Sequence, residues 1–374
     1  GGDATDTTGG DATDTTGGDA TDTTGGDATD TTGGDAGGGG DTTDTTGGED
    51  CTTPETLRAA GDCANLRVGA AVKSALLASE AQYLEVVTAQ YNEFTAEFEH
   101  KWKHVEKTQD VFTYDGSDLI VDTAEAASMT VKGHALLWHN SIPDWTLALS
   151  DADFLVESDA WMTEMVTRYI GRIRAWDVVN EAILGTGADR ETRYYTASGN
   201  SRSYIADAFI LAHAIDPAAQ LYYNDFQLLT NTTKADAVFA LVSELLEAGV
   251  PIHGVGFQSH QVAATAPSVE HIRSEFARFG ALGLTVNISE LDVQIAELTG
   301  STAENLEAQR QVYQNIASAC ALEAACVGVT TWGFTDKYSW IDDTKKLDDP
   351  LPFDESYQAK PAFDGFVSGL LATE

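Results

Sequence analysis

From Leu66 onward, short apolar runs alternate with stretches whose apolar residues recur every three or four positions. The apolar runs fall at 66–72, 91–98, 130–138, 174–181, 219–225, 253–260, 285–293 and 328–334 and read as strands. Between them lie amphipathic segments such as "SALLASEAQYLEVVTAQ", "KADAVFALVSELLEAG" and "ENLEAQRQVYQNIASACALEA", several closed by Gly or Pro, which read as helices. Eight strands separated by helices over roughly 300 residues predict an α/β fold of the (β/α)8 TIM-barrel class rather than an open sheet. No glycine fingerprint for a phosphate or dinucleotide follows the first strand, so a nucleotide cofactor is not expected.

The polar residues of these runs gather at one end. In "RAWDVVNEAI" the apolar strand finishes on Asn180-Glu181, neighbours that would point to opposite faces of a continuing strand. Both can serve one site only if the strand stops there and the backbone turns. The other strands repeat the pattern: Glu97 and Lys101 at or after the second, His134, Trp138 and His139 near the end of the third, Asn224 and Asp225 on the fifth. Gln258 and His260 end the sixth, Glu290 and Asp292 the seventh, and Trp332 the eighth. A barrel collects the C-terminal ends of its strands into one cleft, so these scattered positions are expected to form a single site.

Composition divides the chain. Residues 1–50 contain no Leu, Ile, Val, Phe, Tyr, Trp, Lys or Arg, and "GGDATDTT" repeats four times unchanged from Gly1 to Thr32. Such a segment cannot build a core and is expected to be a disordered, self-repelling low-complexity linker ahead of a catalytic domain spanning 51–374. The repeats lack the Gly-6 and Glu-12 pattern of an EF-hand, which favours a spacer over a calcium site. The linker holds 12 Asp and one Glu of the chain's 59 acidic groups, leaving 46 against 21 Lys and Arg in the remainder. Acidity throughout argues against nucleic acid and anionic membranes as partners and suits a neutral substrate. No apolar run reaches the length of a membrane span. The chain opens inside a repeat without Met, as expected if a leader, or an upstream domain joined through the linker, has been removed. Four cysteines stand in two close pairs, Cys51 with Cys63 and Cys320 with Cys326. That spacing fits two disulfides of a secreted, extracellular protein, with four buried thiols as the alternative and a four-Cys zinc site disfavoured.

Glu181 and Glu290 interrupt apolar strands on opposite sides of the expected barrel. Cleavage of an acetal between sugars uses two carboxyl groups, one protonated to assist the leaving oxygen and one ionised to attack or to activate water. His134 and His139 lack a third ligand at metal spacing, so no metal is expected. His260 is read beside Glu290, with Asp292 two residues further along the same strand face. An Asp292-His260-Glu290 hydrogen-bond chain would keep Glu290 ionised and oriented. Sugar rings have apolar faces, and of Trp138, Trp145, Trp332 and Trp340, two are expected to be sugar platforms and two to pack.

The motifs "KGHALLWHNSIPDW", "WDVVNEAI", "YNDF", "GVGFQSH", "ISELDV", "TTWGFTDKYSW" and "LPFDESYQAKPAF" resemble, in order and spacing, those of glycoside hydrolase family 10, typically endo-β-1,4-xylanases. The resemblance covers about Leu66 to Leu370. It implies a retaining enzyme without cofactor acting on xylan or another plant cell-wall polysaccharide, with Glu181 as acid/base, Glu290 as nucleophile and Asn180 on the 2-hydroxyl of the sugar under attack. It also implies that His134, Trp138, Gln258, His260, Trp332 and Trp340 line the subsites, with Glu97 and Lys101 on the non-reducing side and Asn224 and Phe226 among the substrate-binding residues. Cys320 and Cys326 match a disulfide spacing of some relatives. A monomer is the expected state. The chain departs from the family at Phe98, where a sugar-binding Asn is usual, at His100 in place of a Met, at Phe226 in place of a common Tyr, and at Ile341, where a basic residue is frequent. The alternatives are a related retaining β-glycanase acting on β-glucan, cellulose or mannan, and a non-catalytic polysaccharide-binding protein.

Overall fold

The strands of the computed structural model, which describes residues 51–343 and 348–374, are β1 (Arg67–Val72), β2 (Glu93–Ala96), β3 (Thr130–Trp138), β4 (Ala175–Asn180), β5 (Gln220–Asp225), β6 (Gly254–Phe257), β7 (His260–Val262), β8 (Thr285–Gln294) and β9 (Cys326–Thr331). All pair in parallel; β7 lies beside β8 alone, and the other eight close a barrel in which β9 returns to β1 and β6 pairs directly with β8. The expected (β/α)8 barrel is the observed architecture. The expected linker, residues 1–50, lies outside the described residues.

The sixth expected strand is broken in two. β6 ends at Phe257, Ser259 takes a left-handed φ of 62°, and β7 resumes beside β8 with His260 opposite Asp292. The left-handed turn at Ser259 makes the break, since β8 runs on unbroken through Ser289, Glu290 and Asp292. The second expected strand keeps only its central four residues, so Glu97 and Phe98 fall on the loop beyond it.

The outer helices obey local rules. Helix Asp151–Arg168 buries Phe154, Ser158, Trp161, Met162, Met165 and Val166, one face at helical spacing, and starts at Ser150, whose hydroxyl accepts from the Asp153 N–H. Ser301 and Glu304 form a reciprocal capping box at the start of Thr302–Ala321. Cys320–Cys326 ties the end of that helix to β9, and Cys51–Cys63 anchors the segment before β1, so both expected pairings form. Among the described residues no helix is long and apolar enough to cross a membrane.

Among the described residues, His100 is one of several buried positions whose polar atoms have no hydrogen-bond partner. The His100 ring is fully buried, 5.7 Å from each of the Tyr169 and Trp176 rings, and neither nitrogen has a hydrogen-bond partner among the described residues. Burial, with His134 nearby, lowers its pKa to about 3. His100→Met is therefore expected to stabilise the domain by about 1–2 kcal/mol at neutral pH by removing unpaired polar atoms. The unfolded histidine gains a proton as pH falls below its ordinary 6.5, whereas the folded one stays neutral down to about 3, so the difference should widen between those values. Urea unfolding near pH 7 and near pH 5 measures this. A midpoint for the methionine variant no higher than the parent's at both pH values would refute it.

Candidate active site

The turn anticipated after Asn180 is present. β4 stops there, and Glu181 takes a left-handed φ of 59°, unusual for a side-chain-bearing residue. Its N–H donates to the Asn224 carbonyl at 2.9 Å, and its own carbonyl accepts from Arg190 Nε at 2.7 Å. Two neighbours that a strand would separate thus reach the same cleft. The Asn180 amide oxygen accepts from the Trp138 indole N–H at 3.2 Å, and its nitrogen donates to the Asn224 carbonyl at 3.1 Å. Gln258 Nε2 donates to Glu181 Oε1 at 3.0 Å.

Across the cleft, Glu290 and Asp292 lie two apart on β8 and share a face. His260 joins them, its Nε2 3.1 Å from Glu290 Oε2 and its Nδ1 2.7 Å from Asp292 Oδ2. Trp340 Nε1 also donates to Asp292 Oδ2, at 2.8 Å. Burial opposes charge on the imidazole, yet Asp292 and Glu290 together push its pKa up to about 10. Burial would likewise raise the Glu290 carboxyl, but His134, His260 and Lys101 outweigh it and bring the pKa down to about 2. The expected hydrogen-bond chain therefore exists, and with His134 and Lys101 it keeps Glu290 ionised.

Two residues taken as cleft residues lie beneath it. Asn224 is fully buried and donates to Glu290 Oε1 at 2.7 Å while accepting from Ser289 Oγ at 2.6 Å. It orients the carboxylate and does not line the cleft. Gly256, its register partner on β6, makes this possible, because a Cβ there would lie 2.1 Å from Asn224 Oδ1. Asp292 is also fully buried and reaches the cleft through His260 and Trp340.

The cleft, about 670 Å³, is lined by the remaining expected residues: Glu97, Lys101, His134, Trp138, Asn180, Glu181, Phe226, Gln258, His260, Glu290, Trp332 and Trp340. Three tryptophans line it, not two. Trp145 alone packs away from it, edge-on to Trp102 at 6.0 Å and donating to the Glu106 carbonyl. Lys101 Nζ sits among aromatic rings, 4.5 Å from the centre of Trp138, 5.5 Å from Trp332 and 5.6 Å from Phe98. Burial pushes its pKa down. Burial raises Glu97 to about 7 against the opposing pull of Lys73, 3.3 Å away, and Lys101. Phe98, 36% exposed, forms part of the wall beside His104.

Sequence reasoning missed a second charge chain. Lys132 Nζ lies 2.7 Å from Asp177, whose Oδ2 is 3.0 Å from His134 Nδ1, and all three side chains are buried. The chain orients His134, 3.9 Å from Glu290 Oε1. The available signal was a Lys and an Asp interrupting apolar strands, with Lys132 and His134 sharing a face. Also missed were Asn140 and Ser141, on the short 3-10 turn that follows β3 inside the quoted motif, and Gln227 after β5. Among the described residues, the acidic group that could hold a metal, Glu106, Asp110 and Glu157, has no member in the cleft lining.

An ionised carboxylate and a second carboxyl group reach one indole-walled groove at the C-terminal mouth of the barrel, with hydrogen-bonding amides between them. Fold and site together define a glycoside hydrolase. Residues 56–369 match the model for glycosyl hydrolase family 10, and the chain belongs to that family. It is 36% identical over 274 residues to endo-1,4-beta-xylanase A of Phanerodontia chrysosporium, a match spanning 72% of this chain and 65% of that protein. Endo-1,4-beta-xylanase B of Thermotoga neapolitana is 33% identical over 312 residues, 82% of this chain and 89% of its own. Among solved structures, xylanase 10B from Thermotoga petrophila in complex with xylobiose superposes with a TM-score of 0.81 at 32% identity, covering 85% of this chain and 98% of that one.

Proposed function

We propose that the chain is a retaining endo-β-1,4-xylanase that hydrolyses internal xylosidic bonds of xylan by double displacement. The observation that carries this reading is Glu290, held ionised by His134, His260 and Lys101, oriented by its contact with the Asp292-braced His260, and facing the cleft that Glu181 enters from the opposite wall. In the first step a Glu290 oxygen bonds to the anomeric carbon as the glycosidic C–O bond breaks, and the Glu181 proton passes to the departing oxygen. In the second, water attacks the anomeric carbon from the vacated side and gives its proton to Glu181. The bond to Glu290 breaks and the β-hemiacetal leaves. Asn180 is assigned to the 2-hydroxyl, a group that both donates and accepts and so pairs with either end of an amide. Protons and water complete the cycle, and no cofactor or metal enters it.

The substrate class follows the relatives, which are endo-1,4-beta-xylanases from fungi and bacteria. The three cleft tryptophans suit a sugar chain, and the acidic surface disfavours nucleic acid and anionic membranes. The two disulfides support secretion to an extracellular site. The remaining proposals are that the catalytic domain, 51–374, works as a monomer and that residues 1–50 act as a spacer.

Proton NMR of early hydrolysis tests the mechanism: β-anomeric xylo-oligosaccharide is expected before mutarotation, and α product first would end the double-displacement reading. Release of reducing sugar from xylan, compared with cellulose, β-glucan and mannan, tests the substrate, with xylan expected to be fastest.

Phe98 supplies a further expectation. Its ring cannot replace the donors and acceptor of the family's amide. Phe98→Asn should raise kcat/KM on xylotriose and longer chains by up to about tenfold, the value of roughly one net hydrogen bond of 0.5–1.5 kcal/mol. Steady-state kinetics of Phe98→Asn and Phe98→Ala check this. Losses with both would mean instead that the ring stacks on the sugar.

A further inference from the structure

Behind Glu181 lies a buried network that has no access to substrate. The Ala182 N–H donates to Tyr223 Oη at 3.0 Å, and Tyr223 donates onward to Asp225 Oδ2 at 2.6 Å. Asp225 Oδ1 pairs with Lys234 Nζ at 2.6 Å and accepts from the Phe226 N–H at 2.9 Å. Tyr223, Asp225 and Lys234 are fully buried. Phe226 lines the cleft and roofs the ion pair, its ring centre 3.1 Å from Lys234 Nζ. Burying a charged pair is expensive, and packing alone does not require one.

We propose that Tyr223, Asp225 and Lys234 are positioning residues for the acid/base, holding the left-handed Glu181 turn and setting the charge behind it. The inference rests on the reading of Glu181 as acid/base. Asp225 commits the Tyr223 proton, which leaves the phenol oxygen free to accept from Ala182, the residue that follows the turn. Lys234 balances Asp225, so the pair presents a dipole to Glu181 instead of a bare charge. Removing the negative half leaves a cation that favours ionised Glu181. Removing both halves restores neutrality.

The other groups facing this site are Lys101 after β2, His139 after β3, Arg190 in the loop after β4 and Glu290 on β8, with Tyr204 facing Asp225 from helix Ser203–Ile215. All remain in place in the variants below, so a change in pH profile reports on the pair.

The test compares the full chain with its Tyr223→Phe, Asp225→Asn and Asp225→Asn/Lys234→Met variants on xylan and on 2,4-dinitrophenyl β-xylobioside, whose leaving group needs no proton. Tyr223→Phe should lower kcat on xylan on the order of tenfold to a hundredfold, the scale of a misplaced catalytic group. It should change the glycosylation rate of the dinitrophenyl substrate by less than about threefold. Asp225→Asn should move the alkaline limb of the xylan kcat/KM profile to lower pH, and the double variant should return it toward the parent's position. Equal loss on both substrates, or an alkaline limb that superimposes on the parent's in Asp225→Asn, would overturn the proposal. Glu181→Ala is the control for the reading beneath it. If that variant keeps the parent's activity on xylan, the acid/base assignment itself fails. If it loses activity on xylan while Tyr223→Phe does not, only the positioning role fails.

Discussion

Glu290→Ala is expected to lose turnover on xylan and on activated aryl xylosides alike, by up to about 10⁶-fold, the scale seen when a covalent nucleophile is removed. No leaving group can compensate, because the missing event is bond formation at the anomeric carbon. The structure adds a second consequence. Glu290 accepts from Asn224 and pairs with His260, so alanine leaves a buried amide without its acceptor and an imidazolium facing a cavity. Glu290→Gln, which keeps the shape and one acceptor, should be equally inactive but closer to the parent in thermal stability. Azide can enter the alanine cavity and attack from the side Glu290 occupied, so the rescued product should be the α-glycosyl azide. Activity of Glu290→Ala within about a hundredfold of the parent, without added nucleophile, would remove Glu290 from the mechanism.

Glu181→Ala is expected to divide the two half-reactions. On xylan, where the departing sugar oxygen needs a proton, the rate should fall by about 10²–10⁴-fold, the usual contribution of a general acid. On 2,4-dinitrophenyl β-xylobioside the first step should survive and the second should slow, giving a burst of dinitrophenol followed by slow turnover. Azide needs no general base, so it should restore the steady rate and yield the β-glycosyl azide, the anomer opposite to that from Glu290→Ala. The pH dependence should change too. The parent is expected to lose activity toward acid only as Glu290 approaches its pKa of about 2, with the alkaline limb on xylan reporting the general acid. In Glu181→Ala the alkaline limb of the residual xylan activity should disappear, while the kcat/KM profile for the dinitrophenyl substrate, whose departure needs no proton, should follow the parent's. Absence of both the burst and azide rescue would contradict the role of Glu181.

Much of the site was legible because a barrel obeys a simple rule. Polar residues that interrupt an apolar strand near its C-terminal end have little choice but to face the mouth. Glu181, Glu290, His260 and Gln258 were visible on that ground, and the two-residue spacing of Glu290 and Asp292 already placed them on one face. The same rule could not tell a residue in the cleft from one just below it. Asn224 and Glu290 both end apolar runs, yet one is a buried brace for the other. The tryptophans show the same limit: Trp145 follows the third strand as Trp138 ends it, and only the loop path turns Trp145 into the core.

The sequence by itself determined the barrel, the strand-end positions of Glu181 and Glu290, the disulfide partners and the shared face of Glu290 and Asp292. Each depends on periodicity or on spacing along one strand or a few neighbouring residues, and local backbone geometry carries those across. Only the tertiary structure decided depth, and with it charge state. His100 stays neutral and Glu290 stays ionised at neutral pH although both are buried. The difference lies in what meets each group from distant parts of the chain. Glu290 has His260, Asn224, His134 and Lys101 around it, brought from β3, β5, β7 and the loop after β2. Among the described residues, His100 has the aromatic walls of Tyr169 and Trp176 against it and no hydrogen-bond partner, and nearby His134 opposes its charge. Burial sets the cost of a charge, and the partners that offset it come from strands dozens to hundreds of residues away, which no local pattern records.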